Sequence, residues 1–204
     1  MKKVLILLAF STLAFSAKTI AQDNEGGAYQ KGSSSITVGY GFGSIWKRLF
    51  KLSAGFQGGT YKVTATGPYA FVYEYGVSQK ISAGIAVSYS QVKGTYTDPS
   101  NQPADNYVDK LTNFSVLARG NYHFGSSPKF DPYIGLGLGY YNFKYESKYG
   151  DGTSTGNLFA IPGAFGFNGQ LGAKYYFSTN FGIFAEVGYV AGGFAQAGFA
   201  VKFP

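Results

Sequence analysis

"FGIFAEVGYVAGGFAQAGFAVKFP" occupies residues 181–204. Every second residue belongs to one set: Phe181, Ile183, Ala185, Val187 and Tyr189 against Gly182, Phe184, Glu186 and Gly188. Beyond Gly192-Gly193 the alternation resumes, with Ala195, Ala197, Phe199, Val201 and Phe203 against Gln196, Gly198, Ala200 and Lys202. A period of two means strands with two unlike faces. A soluble sheet would bury the apolar face in a core, whereas a membrane barrel would turn it to lipid. That choice decides what the chain does.

Composition favours lipid. Charged residues are 13% of the chain, about half the share of an ordinary soluble domain. Aromatics make up 19%, there are 30 glycines, and no later apolar run is long enough for a spanning helix. The opening "MKKVLILLAFSTLAFSAKTIAQ" has a basic start, a short apolar stretch and small residues before Gln22. It reads as a secretory signal peptide, residues 1–21, followed by a polar periplasmic leader, 22–33, and a barrel domain, 34–204. There is no cysteine, so disulfides and thiolate metal sites are excluded. Loss of Lys2, Lys3 and Lys18 with the signal leaves a net charge near +4, too thinly spread for nucleic acid.

Six more segments alternate in the same way. They are "SITVGYGF" from Ser35, "YAFVYEYGV" from Tyr69, "ISAGIAVSYSQV" from Ile81, "NFSVLARGNYHF" from Asn113, "YIGLGLGYYNFKY" from Tyr133 and "FGFNGQLGAKYYF" from Phe165. In the fifth, the apolar phase runs through Ile134, Leu136, Leu138 and Tyr140 but passes to Tyr141, Phe143 and Tyr145. A bulge near Tyr140-Tyr141 is expected there. Connections alternate between short ("SQK", "GSSPKFDP", "STN") and long (43–68, 97–110, 147–164). Short periplasmic turns and long outer loops describe an outer-membrane barrel, and an even strand number puts both termini in the periplasm. Parity places Phe177 opposite Phe181 across a three-residue turn, since opposed residues share a face.

The second phase is mostly Gly, Ala, Ser and Asn, which suits the tight interior of an eight-stranded barrel. Aromatics gather at both strand ends, as girdles do: Tyr122, Phe124, Phe130, Tyr133, Tyr175, Phe177, Phe181 and Phe203 near the short turns, and Tyr40, Phe42, Tyr69, Phe71, Phe143, Phe165 and Tyr189 near the long loops. The fold expected is all-β, an eight-stranded antiparallel up-and-down transmembrane β-barrel. Through "VGYGFG", "PYIGLGLGY" and the closing "GFAVKF" the chain resembles the small outer-membrane barrels of the OmpA and OmpX type. The resemblance implies a Gram-negative outer membrane, outer-membrane lipid and lipopolysaccharide as neighbours, and a monomer. It also implies recognition by the barrel-assembly machinery through a terminal aromatic, here Phe203 followed by Pro204.

Candidate sites are few. Glu74, Arg119, Lys174 and Glu186 lie mid-strand on the inward phase and are expected to form an interior polar network. "IWKRLFK" sets Trp46 beside Lys47, Arg48 and Lys51, a basic amphipathic segment fit to meet lipopolysaccharide phosphates. "YGDGTSTGN", from Tyr149, has too few oxygens for Ca²⁺. His123 is the single histidine, inward and near the short-turn end, and no acid–serine pairing with it can be read from the sequence. No catalytic residue, metal or cofactor is implied. A non-enzymatic barrel with a structural or surface-interaction role through its long loops is therefore expected. A small channel, a barrel that binds a hydrophobic solute and a lipid-modifying enzyme are the alternatives.

Overall fold

A computed structural model describes residues 27–54, 59–99, 106–151, 153–154, 159–190 and 192–204. The expected signal peptide lies outside them. Eight antiparallel strands close in sequence order, each paired to the next and β8 to β1. They are β1 (Ser34–Phe42), β2 (Thr60–Gly76), β3 (Ile81–Thr97), β4 (Tyr107–His123), β5 (Phe130–Tyr149), β6 (Phe159–Tyr176), β7 (Phe181–Val190) and β8 (Gly193–Phe203). One helix, α1 (Ile45–Ala54), interrupts the first long connection. Along the lower barrel every strand is paired on both sides, whereas residues 60–68 of β2 and 159–168 of β6 have no strand partner on the β1 and β7 sides.

The alternation read from the sequence becomes an inverted barrel. Phe199 is 71% exposed and Leu136 69%, while the charged Lys174 and Arg119 are 2% and 3% exposed. Such a surface is costly in water and favourable in hydrocarbon. On β3 the outward apolar residues run from Ile81 to Tyr89. That length is about 27 Å along the strand, and a tilt near 40° makes it about 20 Å of height, close to the apolar band of a membrane barrel.

The short turns are built alike. Val77 N–H donates to Ile81 O at 2.9 Å across residues 78–80, and Phe177 N–H donates to Phe181 O at 3.1 Å across 178–180. A serine opens each turn and accepts from the backbone beyond it: Ile81 N–H to Ser78 Oγ at 3.1 Å, Phe181 N–H to Ser178 Oγ at 3.0 Å. Ser127 does the same in the third turn, accepting from Phe130 N–H at 3.3 Å. These hydroxyls stand in for missing ladder partners. Phe177 and Phe181 both face outward, as parity requires.

The long side differs from expectation. Much of what reads as loop is strand: β2 to β5 are 17, 17, 17 and 20 residues long, against 10 for β7, 11 for β8 and 9 for β1. The rim is therefore tall over β2–β6 and low over β7, β8 and β1. In β2 a bulge falls at Gly67-Pro68. Thr66 opposes Gln91 but Tyr69 opposes Tyr89, so the outward phase moves from even to odd numbers. Gly67 has φ +79°, and a Cβ there would lie 2.7 Å from Tyr89 O, so the position requires glycine.

The bulge expected at Tyr140-Tyr141 is absent from β5, whose register against β4 runs unbroken from Tyr107–Tyr149 to His123–Tyr133. The irregularity sits on the facing strand, where Tyr141 and Phe143 oppose Ala164 and Ile161. Tyr141, Phe143 and Tyr145 thus keep the inward phase. Tyr141 packs with Val72, Ala86 and Leu117, and Phe143 lies against them. Phe143 and Tyr133 belong to the interior and not to the girdles, and Tyr133 is fully buried. The remaining exposed aromatics do ring both ends.

Candidate functional site

Strand register brings the four inward charges into one cluster at mid-barrel. Lys174 Nζ donates to Glu74 and, at 3.1 Å, to Ser35 Oγ. Arg119 forks onto Glu186 with both terminal nitrogens, and its Nε lies 3.5 Å from Glu74. Tyr133 OH donates to Glu186 at 2.6 Å, Asn121 donates to Glu74 at 2.7 Å, and Gln196 donates to Glu186. Two cations and two carboxylates cancel, and each charge has further hydrogen bonds, which is the condition for ions to persist in a dry interior. The interior spaces adjoining the network hold about 10 Å³ each, room for one water at most.

Beside this network the structure forms a chain that the sequence did not disclose. His123 Nδ1 lies 2.8 Å from Asp131 Oδ1, and Nε2 lies 2.9 Å from Ser82 Oγ. A carboxylate, an imidazole and a serine in this order have the connectivity of an acyl-transfer triad. The surroundings argue against that use. Ser82 is 1% exposed, and the space beside it is one of the 10 Å³ pockets, too small for an acyl group. The leader closes the approach: Tyr29 stacks on His123 with ring centroids 3.7 Å apart and donates to Ser78 O at 3.0 Å. Ala28 N–H donates to Ser127 O at 2.7 Å, and Lys202 Nζ donates to Ala28 O at 3.2 Å. Residues 27–33 are thus a plug under the short-turn end and not a free leader. Among the described residues no group of three or more His, Asp or Glu could hold a metal.

At the other end, α1 begins where Ser44 Oγ accepts from Lys47 N–H at 3.3 Å, an N-cap. Trp46 and Phe50, four apart, turn into the mouth and pack on Phe143 and Tyr145, with centroids 5.1 and 6.5 Å apart. Trp46 therefore anchors the helix to the barrel. Arg48 lies 5.1 Å over the outward ring of Phe194, Lys51 is exposed, and Lys47 is half-buried. Of the four residues, Arg48 is the one placed at the outer wall.

The outer face of the tall wall shows a pattern above the girdle. Register aligns Thr66, Gln91, Thr112 and Lys144 in one row across β2–β5, then Thr64, Lys93, Lys110 and Glu146, then Lys62, Thr95, Val108 and Lys148. Glu146 pairs with Lys144 at 2.8 Å and Lys110 at 3.8 Å. The Lys144 hydrogen bond, with the charges of Lys144, Lys110 and Lys148, holds its carboxyl below the usual range. Asp109 points the other way, accepting from Tyr61 OH at 3.0 Å and Tyr145 OH at 2.8 Å on the inner face.

No protein-family profile and no curated protein matches the chain. Among solved structures it is similar to Ail, the attachment invasion locus protein of Yersinia pestis, at 15% identity and a TM-score of 0.47, over 85% of this chain and 100% of that one. It is also similar to the outer membrane protein OprG from Pseudomonas aeruginosa, at 14% identity and a TM-score of 0.43 over 89% and 99%. The N-terminal β-barrel domain of Pseudomonas aeruginosa OprF matches at 20% identity and a TM-score of 0.37, over 85% and 97%.

Proposed function

We propose that the protein is a monomeric, non-enzymatic integral barrel of a Gram-negative outer membrane. It acts structurally and through its tall long-loop rim, with both termini in the periplasm. The observation that carries this reading is the continuous apolar exterior, bounded by aromatics at both ends, around a polar and filled interior. The filled interior speaks against a channel, and the enclosed Ser82 speaks against an acyl-transfer enzyme. The lower barrel, where every strand is paired on both sides, is consistent with a monomer. Lipopolysaccharide is the neighbour to which Lys47, Arg48 and Lys51 of α1 are offered, with Trp46 holding the helix in place. Phe203, the last outward aromatic of β8, is the residue offered to the barrel-assembly machinery.

The orientation is open to direct test. An epitope inserted in the β3–β4 connection is reached by antibody on intact cells, whereas epitopes at Gln79 or Thr179 are reached only after the outer membrane is permeabilised. The opposite pattern of labelling would overturn the assignment.

A further inference from the structure

The three rows on the outer face of β2–β5 carry Lys62, Lys93, Lys110, Lys144 and Lys148 against one carboxylate, Glu146. Lys93 and Lys110 stand directly opposite each other on the same face. Like charges so placed destabilise a sheet unless something neutralises them. Glu146 is already shared between Lys110 and Lys144, and Asp109 is turned inward to its tyrosines. Among the described residues, Lys62, Lys93 and Lys148 enter no ion pair. Thr95 and Thr112 fill positions between the lysines, while Thr64 Oγ1 donates to Lys93 O at 3.4 Å.

The height of the patch says what meets it. The girdle row below consists of Tyr69, Tyr89 and Phe114. The first two polar rows stand about 7 and 14 Å further along the strands, and adjacent strands are about 4.8 Å apart. Corrected for tilt, the patch lies in the headgroup layer just outside the hydrocarbon. The low wall of β7, β8 and β1 ends near the girdle and has no such face.

We propose that the β2–β5 wall is a binding site for the phosphate groups of a phosphorylated glycolipid in the outer leaflet, centred on Lys93 and Lys110. The inference rests on the reading that the long-loop rim lies in that leaflet. It adds to the contact offered by α1 a second one, on a strand wall. Lysine ammonium groups carry the charge, the Thr95 and Thr112 hydroxyls donate hydrogen bonds, and the aromatic row below packs on the acyl chains.

Full-length protein in detergent is mixed with equal amounts of phosphorylated and enzymatically dephosphorylated lipid A, and retained lipid is counted by native mass spectrometry. The wild-type protein is expected to retain the phosphorylated form preferentially. The Lys93→Gln/Lys110→Gln pair is expected to lose roughly fivefold to twentyfold of that preference, as two lysines at an anionic surface would contribute. Lys93→Arg/Lys110→Arg should keep it, and Lys80→Gln, exposed in the short turn at the opposite end, should leave it nearly unchanged. Heat-modified mobility on gels verifies that each variant is a closed barrel. Equal retention of the two lipids by the wild type, or by the wild type and the Gln pair alike, overturns the proposal. So does displacement of the lipid by inorganic phosphate at comparable concentration, which would make the patch a free-anion site. Maleimide labelling of Lys93→Cys on intact cells separates the two readings. A labelled wall without lipid preference sinks this inference alone, and an unlabelled wall sinks the orientation with it.

Discussion

At Arg119 a guanidinium meets two carboxylates where water has no access. Replacing it with alanine would leave Glu186 without its bidentate partner and Glu74 with one cation instead of two. Arg119→Ala is expected to cost about 3–5 kcal/mol, the penalty for stranding a buried charge. Arg119→Lys keeps the charge but loses the fork and falls between the two. Urea titration of the protein folded into vesicles measures both. The inward phase of these residues was legible because Arg119, Glu74, Lys174 and Glu186 interrupt runs of Gly, Ala and Ser. The chain Asp131–His123–Ser82 was not legible. Its members sit on β5, β4 and β3, and only the register of β3 on β4 brings Ser82 within reach of the imidazole. Tyr133 was misread for a related reason. An aromatic near a strand end suggests a girdle, yet its odd number sets it inward, where its hydroxyl serves Glu186.

Single strands cross two environments, and β3 shows where one gives way to the other. Ile85 faces outward at mid-height, while Thr95 faces outward above the girdle. Ile85→Lys is expected to destabilise by about 2–4 kcal/mol, as a lysine at the bilayer midplane does. Thr95→Glu, a charge on the same face opposite Lys62, should change stability by less than about 0.5 kcal/mol. Unfolding of the two variants in the same vesicles checks the pair, and equal costs would mean that the apolar belt is not where lipid lies. The lower halves of the strands were legible because one face is apolar. The upper halves read as loop: "YVDKLT" carries a charge in each phase, and the alternation of Tyr61, Val63 and Ala65 with Thr60, Lys62 and Thr64 is short and runs into Gly67-Pro68. In β2 the Gly67-Pro68 bulge reverses the facing, so the odd-numbered apolar set that faces outward below it turns inward above it.

For the whole molecule, the filled interior has a measurable consequence. The salt-bridged network sits across mid-barrel, and Val72, Ala86, Leu117 and Tyr141 cluster above it. Reconstituted in planar bilayers, the protein is expected to leave conductance at the lipid baseline at neutral pH. Steady single-channel steps in ion current would refute this.

The unequal wall also removes the rotational symmetry that a plain cylinder would have about the membrane normal. Seen from the β2–β5 direction the barrel presents a high, cationic shoulder; from the β7–β1 direction it ends nearly flush with the aromatic ring. A neighbour diffusing in the same leaflet therefore meets a molecule with a compass heading. Crowded together, copies would turn their shoulders away from one another and their flush sides together, so that packing in a dense membrane has a preferred orientation without any dedicated contact between them.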